Sequence, residues 1–290
     1  MLSDGVRRRL AQLNRIPNCE ISSSANGAGH RGRMPSMIQM EASRGWIDRG
    51  QVVHNAAGTH LRITAALADV WDDGPARLRQ VDPCRKRQSS GEPAHAELRA
   101  LAECFPDQTM LFDLETCGFA GCPVFLVGLL RCVDREALIE LLLARDYSEE
   151  PSILVEFWRI LGSARVMVSF NGKSFDWPML CDRSRLHRLP DPPPAPVHCD
   201  LLHHSRRRWK HRLPDCKLQT LERYICHRYR TGDVPGSRIP QAYHDFVRSN
   251  DPREMDGILG HNVLDLVTLA DLAMRSLPAK KRGQERTALG

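Results

Sequence analysis

The segment Met110 to Gly118, MLFDLETCG, constrains this chain more than any other stretch. Three apolar residues, Met110, Leu111 and Phe112, run into Asp113; Leu114 separates Asp113 from Glu115, and Gly118 ends the run. The pattern predicts a short buried strand with two acids at its end. Side chains alternate along an extended segment, so Asp113 and Glu115 project from one face and Leu114 from the other. Two carboxylates crowded onto a buried face repel each other and are costly to desolvate unless a cation lies between them. A divalent metal is the obvious candidate, and a strand end whose acids simply face water is the bland alternative. What separates the two is whether the rest of the chain supplies partners.

The chain has 290 residues, 42% hydrophobic and 26% charged, which allows one large domain or two small ones with an ordinary core. Lys and Arg number 41 against 35 acids, a formal charge of +6 that permits a polyanionic partner without demanding one. No apolar run approaches the ~18 residues of a bilayer span, and the basic start has no apolar stretch behind it, so neither a membrane segment nor a signal peptide is expected. The ten cysteines are scattered without a C-x-x-C pair. They read as reduced thiols of a cytoplasmic protein, not as a disulfide frame or a zinc site.

Residues 1–50 show no sustained apolar period and are expected to be loose. Gln51 to Ala65 suggests a small hairpin turning at Ala-Ala-Gly-Thr, and Asp82 to Gly91 a basic linker. The expected organisation is an amino-terminal extension over 1–92, a compact domain over 93–277 and a basic tail over 278–290. Within the domain, a helix is expected over 93–104, strands at 123–130, 165–170 and 197–201, and helices at 152–161 and from Phe175 onward, with 136–144 ambiguous between helix and strand. Glu149 and Glu150 read as acids at a helix amino terminus. Strands alternating with helices point to an α/β sheet domain.

Two further acidic sites follow. In VSFNGKSFDWPML (168–180), Asn171 and Gly172 sit where a strand gives way to a turn, and Asp176 falls on the first turn of a helix. In GHNVLDLVTLADL (260–272), His261 and Asp265 are four apart and share one helical face. Each has an ordinary structural explanation alone; their conjunction with Asp113 and Glu115 does not.

Together these motifs resemble the DEDD exonuclease superfamily. The hydrophobic-D-x-E-T start is MLFDLET, the N-x-x-x-F-D motif is Asn171 to Asp176, and FNGKSFDWPML is similar to the proofreading exonucleases of family B DNA polymerases. The four-residue spacing from His261 to Asp265 is the one usually seen with Tyr, here occupied by His. A narrower resemblance is to the YprB-like predicted exonucleases, through HCDLLHHSRRRWKHRLPDCKLQTLE (198–222), GDVPGSRIPQAY (232–243) and the HN-x-x-D helix. It covers roughly residues 95–277.

The resemblance implies a ribonuclease-H-like fold, an α/β domain with a mixed central sheet flanked by helices. It also implies 3′-5′ exonuclease activity on nucleic acid, most readily single-stranded or frayed ends. Asp113, Glu115, Asp176 and Asp265 would hold two Mg²⁺ or Mn²⁺ ions, which suit oxygen ligands, and His261 would orient or deprotonate the attacking water. Asn171 would help hold substrate or the turn, while Asp200 falls outside the four-acid set and reads as structural, the alternative being a group that supports the metal ligands from behind. The basic run Arg206, Arg207, Arg208, Lys210, His211 and Arg212 offers phosphate contacts, with Trp209 to stack a base; a solvated helix face is the equal alternative. A structure-selective endonuclease and a non-catalytic nucleic-acid-binding module are the rival functions. DNA and RNA are not distinguished by any motif.

Overall fold

The computed structural model describes residues 38–41, 45–80, 95–118 and 121–277. Of the start expected to be loose over residues 1–50, residues 1–37 and 42–44 lie outside the described ones, as do the basic linker and the basic tail, whereas Trp46 is buried and Ile47–Arg49 form a helical turn. The strands are β1 (Ile38–Glu41), β2 (Gln51–Asn55), β3 (Gly58–Ala66), β4 (Thr109–Thr116), β5 (Val124–Val133), β6 (Glu136–Leu143), β7 (Val166–Ser169), β8 (Val197–Asp200) and β9 (Arg228–Thr231). The helices are α1 (Gly74–Arg79), α2 (Ala96–Cys104), α3 (Glu150–Leu161), α4 (Asp176–Leu186), α5 (Leu201–Trp209), α6 (Leu218–Leu221), α7 (Ile239–Ser249) and α8 (Pro252–Ser276).

Seven strands form a mixed sheet in the order β2-β3-β6-β5-β4-β7-β8. Neighbours are antiparallel from β2 to β4 and parallel from β4 through β7 to β8. The acidic strand β4 therefore lies inside the sheet, buried on both sides as its apolar lead-in requires. Residues 136–144 are resolved as a strand by their turn. Val133 pairs with Glu136 across Asp134 and Arg135, both with positive φ, which is the two-residue connection that suits strand twist.

The 51–66 hairpin is present but belongs to the sheet. β3 pairs with β6, Leu61 opposite Leu143, and its alternating Leu61, Ile63 and Ala65 are buried in the common core. The sheet thus begins at residue 51, upstream of the division expected near residue 93. A separate two-stranded sheet pairs β1 with β9 in parallel.

Alternation along β4 divides the layers. Phe112 turns toward α3, with its ring centroid 5.6 Å from that of Phe157. Asp113 turns the other way, toward α8. That helix is apolar enough over Met255–Ser276 to pass for a membrane span by length and composition, a stretch the sequence did not flag. Its most apolar window is 83% buried within the protein, so the helix serves as a core element. Residues 239–243 form the first turns of α7, where Tyr243 stacks on Phe125 at 3.9 Å and donates a hydrogen bond to the Ala144 carbonyl at 3.0 Å. Tyr243 is therefore a core residue.

Candidate active site

Three elements deliver the expected acids. β4 carries Asp113 and Glu115, α4 begins at Asp176, and α8 carries His261 and Asp265 one turn apart. They meet on the α8 side of the sheet. Asn262 of α8 donates from Nδ2 to Asp113 Oδ2 at 3.0 Å, and His261 Nε2 lies 3.4 Å from Asp265 Oδ2.

The local sequence explains how each acid is held. Asn171 takes φ of 66°, a left-handed conformation that Asn tolerates better than most residues, and so turns the chain out of β7. Asp200, fully buried at the end of β8, accepts from the backbone N–H groups of Asn171 at 2.8 Å, Lys173 at 3.2 Å and Leu202 at 3.0 Å. It caps α5 and pins the turn before Asp176 in one act, the structural role expected of it. Gly172 leaves the room this turn needs, since a Cβ there would land on the Ser169 hydroxyl and 2.8 Å from Asp176 Oδ2.

The electrostatics are those of a site with surplus negative charge. Burial pushes the Asp113 carboxyl well above the usual range, and Asp265, Glu115 and Asp176 push it further. Burial also raises Glu115 to about 7, with Asp265 and Asp176 adding to the shift and His261 opposing it. Asp176 reaches about 7 through burial and the neighbouring Asp200. For His261, burial acts against the charged ring but is outweighed. Asp233 accepts from Nδ1 at 2.6 Å and, with Asp265 and Glu115, raises the imidazole to about 9. A set of crowded carboxylate oxygens is the donor chemistry that hard divalent cations prefer. The residues present therefore fit such ions.

Protein cations offset part of this charge. Arg230 of β9 is ion-paired through Nη2 to Asp265 Oδ1, through Nε to Glu222 Oε2 at 2.6 Å, and through Nη1 to Asp233 Oδ2 at 3.4 Å. Among the described residues, the three potential ligands whose donor atoms all lie within 4.8 Å of one another are His95, Glu97 and His204, not the four acids. The four acids are spaced more widely than that. The His95 group is already satisfied, with Lys173 Nζ on Glu97 and Arg207 Nη2 3.0 Å from His204 Nδ1.

The expected substrate residues fare differently. Arg206, Arg207, Arg208 and Lys210 are exposed on and just after α5, as phosphate contacts require. Trp209 is only 7% exposed and packs in the core, so its ring is not offered to a base; the Arg208 guanidinium lies 5.2 Å from its centroid. Arg208 also donates to the Arg275 carbonyl, ten residues beyond Asp265 on α8, which at ~1.5 Å per residue is about 15 Å along the helix from the acids. Asn171 contributes its backbone N–H and its turn. Sequence reasoning missed Asn262, Asp233, Arg230 and Glu222. Asn262 lies inside the HN-x-x-D pattern and Asp233 inside the GDVPGSRIP block, but only the folded chain shows what they touch.

A model of the RNase_H superfamily matches residues 110–276, which include all four acids and His261. The chain belongs to the RNase_H superfamily. Its α/β architecture with a mixed sheet is the ribonuclease-H-like fold that the motifs implied, and β4, α4 and α8 of the RNase_H domain are the elements that bear the acids. An uncharacterized protein, YprB, from Bacillus subtilis strain 168 is 34% identical over 166 residues, 56% of this chain and 40% of YprB. The RNase_H domain is thus YprB-like, and the aligned part spans well under half of that relative. A family B DNA polymerase from the hyperthermophilic archaeon Pyrobaculum calidifontis aligns with a TM-score of 0.48 and 17% identity, covering 59% of this chain and 24% of the polymerase.

Proposed function

We propose that the RNase_H domain is a metal-dependent nuclease that hydrolyses phosphodiester bonds of nucleic acid from a 3′ end. The observation that carries this reading is the convergence of Asp113, Glu115 and Asp176 with Asp265 in surroundings that raise the first three by burial and by repulsion from neighbouring carboxylates. So many acids crowded in one place are a structural liability unless they serve a cation. Asp113, Glu115, Asp176 and Asp265 would hold two Mg²⁺ or Mn²⁺ ions, which when bound polarise the phosphodiester and stabilise the charge that develops as it is displaced. The 3′-5′ direction and the two-ion count rest on the motif resemblance.

His261 is the residue placed to handle a proton. Asp233 fixes its Nδ1, leaving Nε2 on the Asp265 side to accept a proton from water. The ring is raised to about 9 while the acids stand uncompensated, so its service as a base depends on that negative charge being met. The exposed Arg206, Arg207, Arg208 and Lys210 would guide the polyanionic strand by charge.

Cleavage of linear and closed circular single-stranded DNA, with Mg²⁺, Mn²⁺ or chelator, tests this reading beside Asp113→Asn. Metal-dependent loss of the linear strand as mononucleotides, with the circle intact and the variant inactive, supports it. Cutting of the circle would make the protein an endonuclease. Binding without cleavage under either metal would make it a binding module.

A further inference from the structure

We propose that Arg230 is the resident counter-ion of the acid cluster, holding Asp265 while no divalent ion is bound and surrendering it when one binds. The inference rests on the metal-dependent reading above and adds a residue outside the four-acid set. Arg230 is buried, its side chain 6% exposed, and it touches three carboxylates from three places in the chain: Glu222, Asp233 and Asp265. A guanidinium has five N–H donors in a planar fork, so it can keep two of these partners when the third leaves.

That geometry decides what happens on ion binding. Glu222, 2% exposed, and Asp233 belong to the same 222–233 segment as Arg230 and have no place among the four expected ligands. They brace the guanidinium whether or not Asp265 is bound to it. Asp265 is different, because it is one of the four expected ligands and Arg230 already holds its Oδ1. A cation so placed competes with a divalent ion in two ways: it occupies a ligand, and it repels the incoming charge. In return it lowers the cost of crowding acids in the metal-free protein, where Arg230 also offsets the upward shift of Asp113.

The opposite role, in which Arg230 presents Asp265 to the ion, predicts the opposite sign. Mn²⁺ binding to the full chain is measured by calorimetry, together with the Tm of the metal-free protein, for wild type, Arg230→Gln and Arg230→Lys. Arg230→Gln should bind Mn²⁺ more tightly, by about tenfold if one such contact is worth the usual decade of affinity, and should melt at a lower temperature without metal. Arg230→Lys keeps the charge but cannot span three carboxylates, and should fall between the two. If Arg230→Gln does not fold, tighter binding by Arg230→Lys alone carries the same weight. Equal or weaker Mn²⁺ binding by the folded variants overturns the counter-ion role and leaves the nuclease reading intact. A wild-type protein that takes up no Mn²⁺ defeats both.

Discussion

Asn262 Nδ2 donates to Asp113 Oδ2 at 3.0 Å, tying the middle of α8 to the acid at the centre of the sheet. The contact is possible because Gly128, the partner of Asp113 across β4 and β5, has no side chain; a Cβ there would land on Asn262 Oδ1. Gly128→Ala should therefore push Asn262 off Asp113 while leaving the strands paired. We expect kcat to fall at least about tenfold, the equivalent of losing ~1.4 kcal/mol of organisation at the site. Asn262→Ala should show a similar loss. Steady-state kinetics with far-UV circular dichroism checks both, and full activity in either variant would remove Asn262 from the positioning of Asp113.

The raised acids predict how metal stabilisation depends on pH. Glu115 and Asp176 titrate at about 7, above their ordinary values of 4.5 and 3.8, so the folded protein binds protons more readily than the unfolded chain between those limits. Their protonation favours the metal-free fold at low pH, and that contribution is lost as pH rises through 7. A divalent ion needs the deprotonated acids, so its stabilising effect should run the other way. The rise in Tm produced by Mg²⁺ or Mn²⁺ should be small at pH 5 and grow to a plateau above pH 7. Melting curves with metal and with chelator across this range would show it. A metal-induced shift independent of pH would mean that the ions bind elsewhere.

Trp209 should matter for folding, not for substrate. It is nearly as buried as any tryptophan in the core, and Trp209→Ala opens a large void worth ~3–5 kcal/mol. The exposed Arg206 and Lys210 should behave in the opposite way. Arg206→Ala with Lys210→Ala should leave Tm within about 2 °C, since surface substitutions are usually worth under ~0.5 kcal/mol, yet weaken oligonucleotide binding and flatten its salt dependence. Denaturant titration and fluorescence anisotropy at two salt concentrations separate the two effects.

Glu150 anchors α3 and α4 together. It pairs with Arg183 and His187 and accepts from the Val124 N–H at 2.8 Å, and although burial opposes it, these partners hold its carboxyl below the usual range. A lowered carboxylate pKa contributes stability above its unfolded value near 4.5, and this is lost as pH falls through the folded value. Glu150→Gln leaves Arg183 buried without its counter-charge and should cost about 3–5 kcal/mol at pH 7. The difference from wild type should shrink as the pH is lowered below 4, which urea unfolding at pH 7 and in that acid range would reveal.

The acids were legible because short-range geometry fixes them. Asp113-x-Glu115 must share a strand face and His261-x-x-x-Asp265 a helix face whatever the rest of the chain does. Asn171 and Gly172 announced the turn before Asp176 through the conformations those residues permit. What escaped depends on contacts between distant segments. Nothing local in 58–66 says that this hairpin strand will pair with β6 across more than seventy residues. Trp209 sits inside the basic run 206–212 and reads as exposed, yet the amphipathic α5 turns it inward beside the buried Leu201 and Ser205. Arg230 looks like one more surface arginine until β9 brings it to Glu222, Asp233 and Asp265 together.

A time course on matched single-stranded DNA and RNA decides whether Asp113 and its neighbouring acids form the centre of a nuclease acting from a 3′ end. Each strand carries a label at its 5′ end and is incubated with Mg²⁺, Mn²⁺ or chelator, using wild type beside Asp113→Asn. A nuclease acting from a 3′ end gives a ladder of 5′-labelled products that shortens one nucleotide at a time, requires metal and is absent in the variant. Unchanged strands under both metals, or equal cleavage by Asp113→Asn, would contradict it.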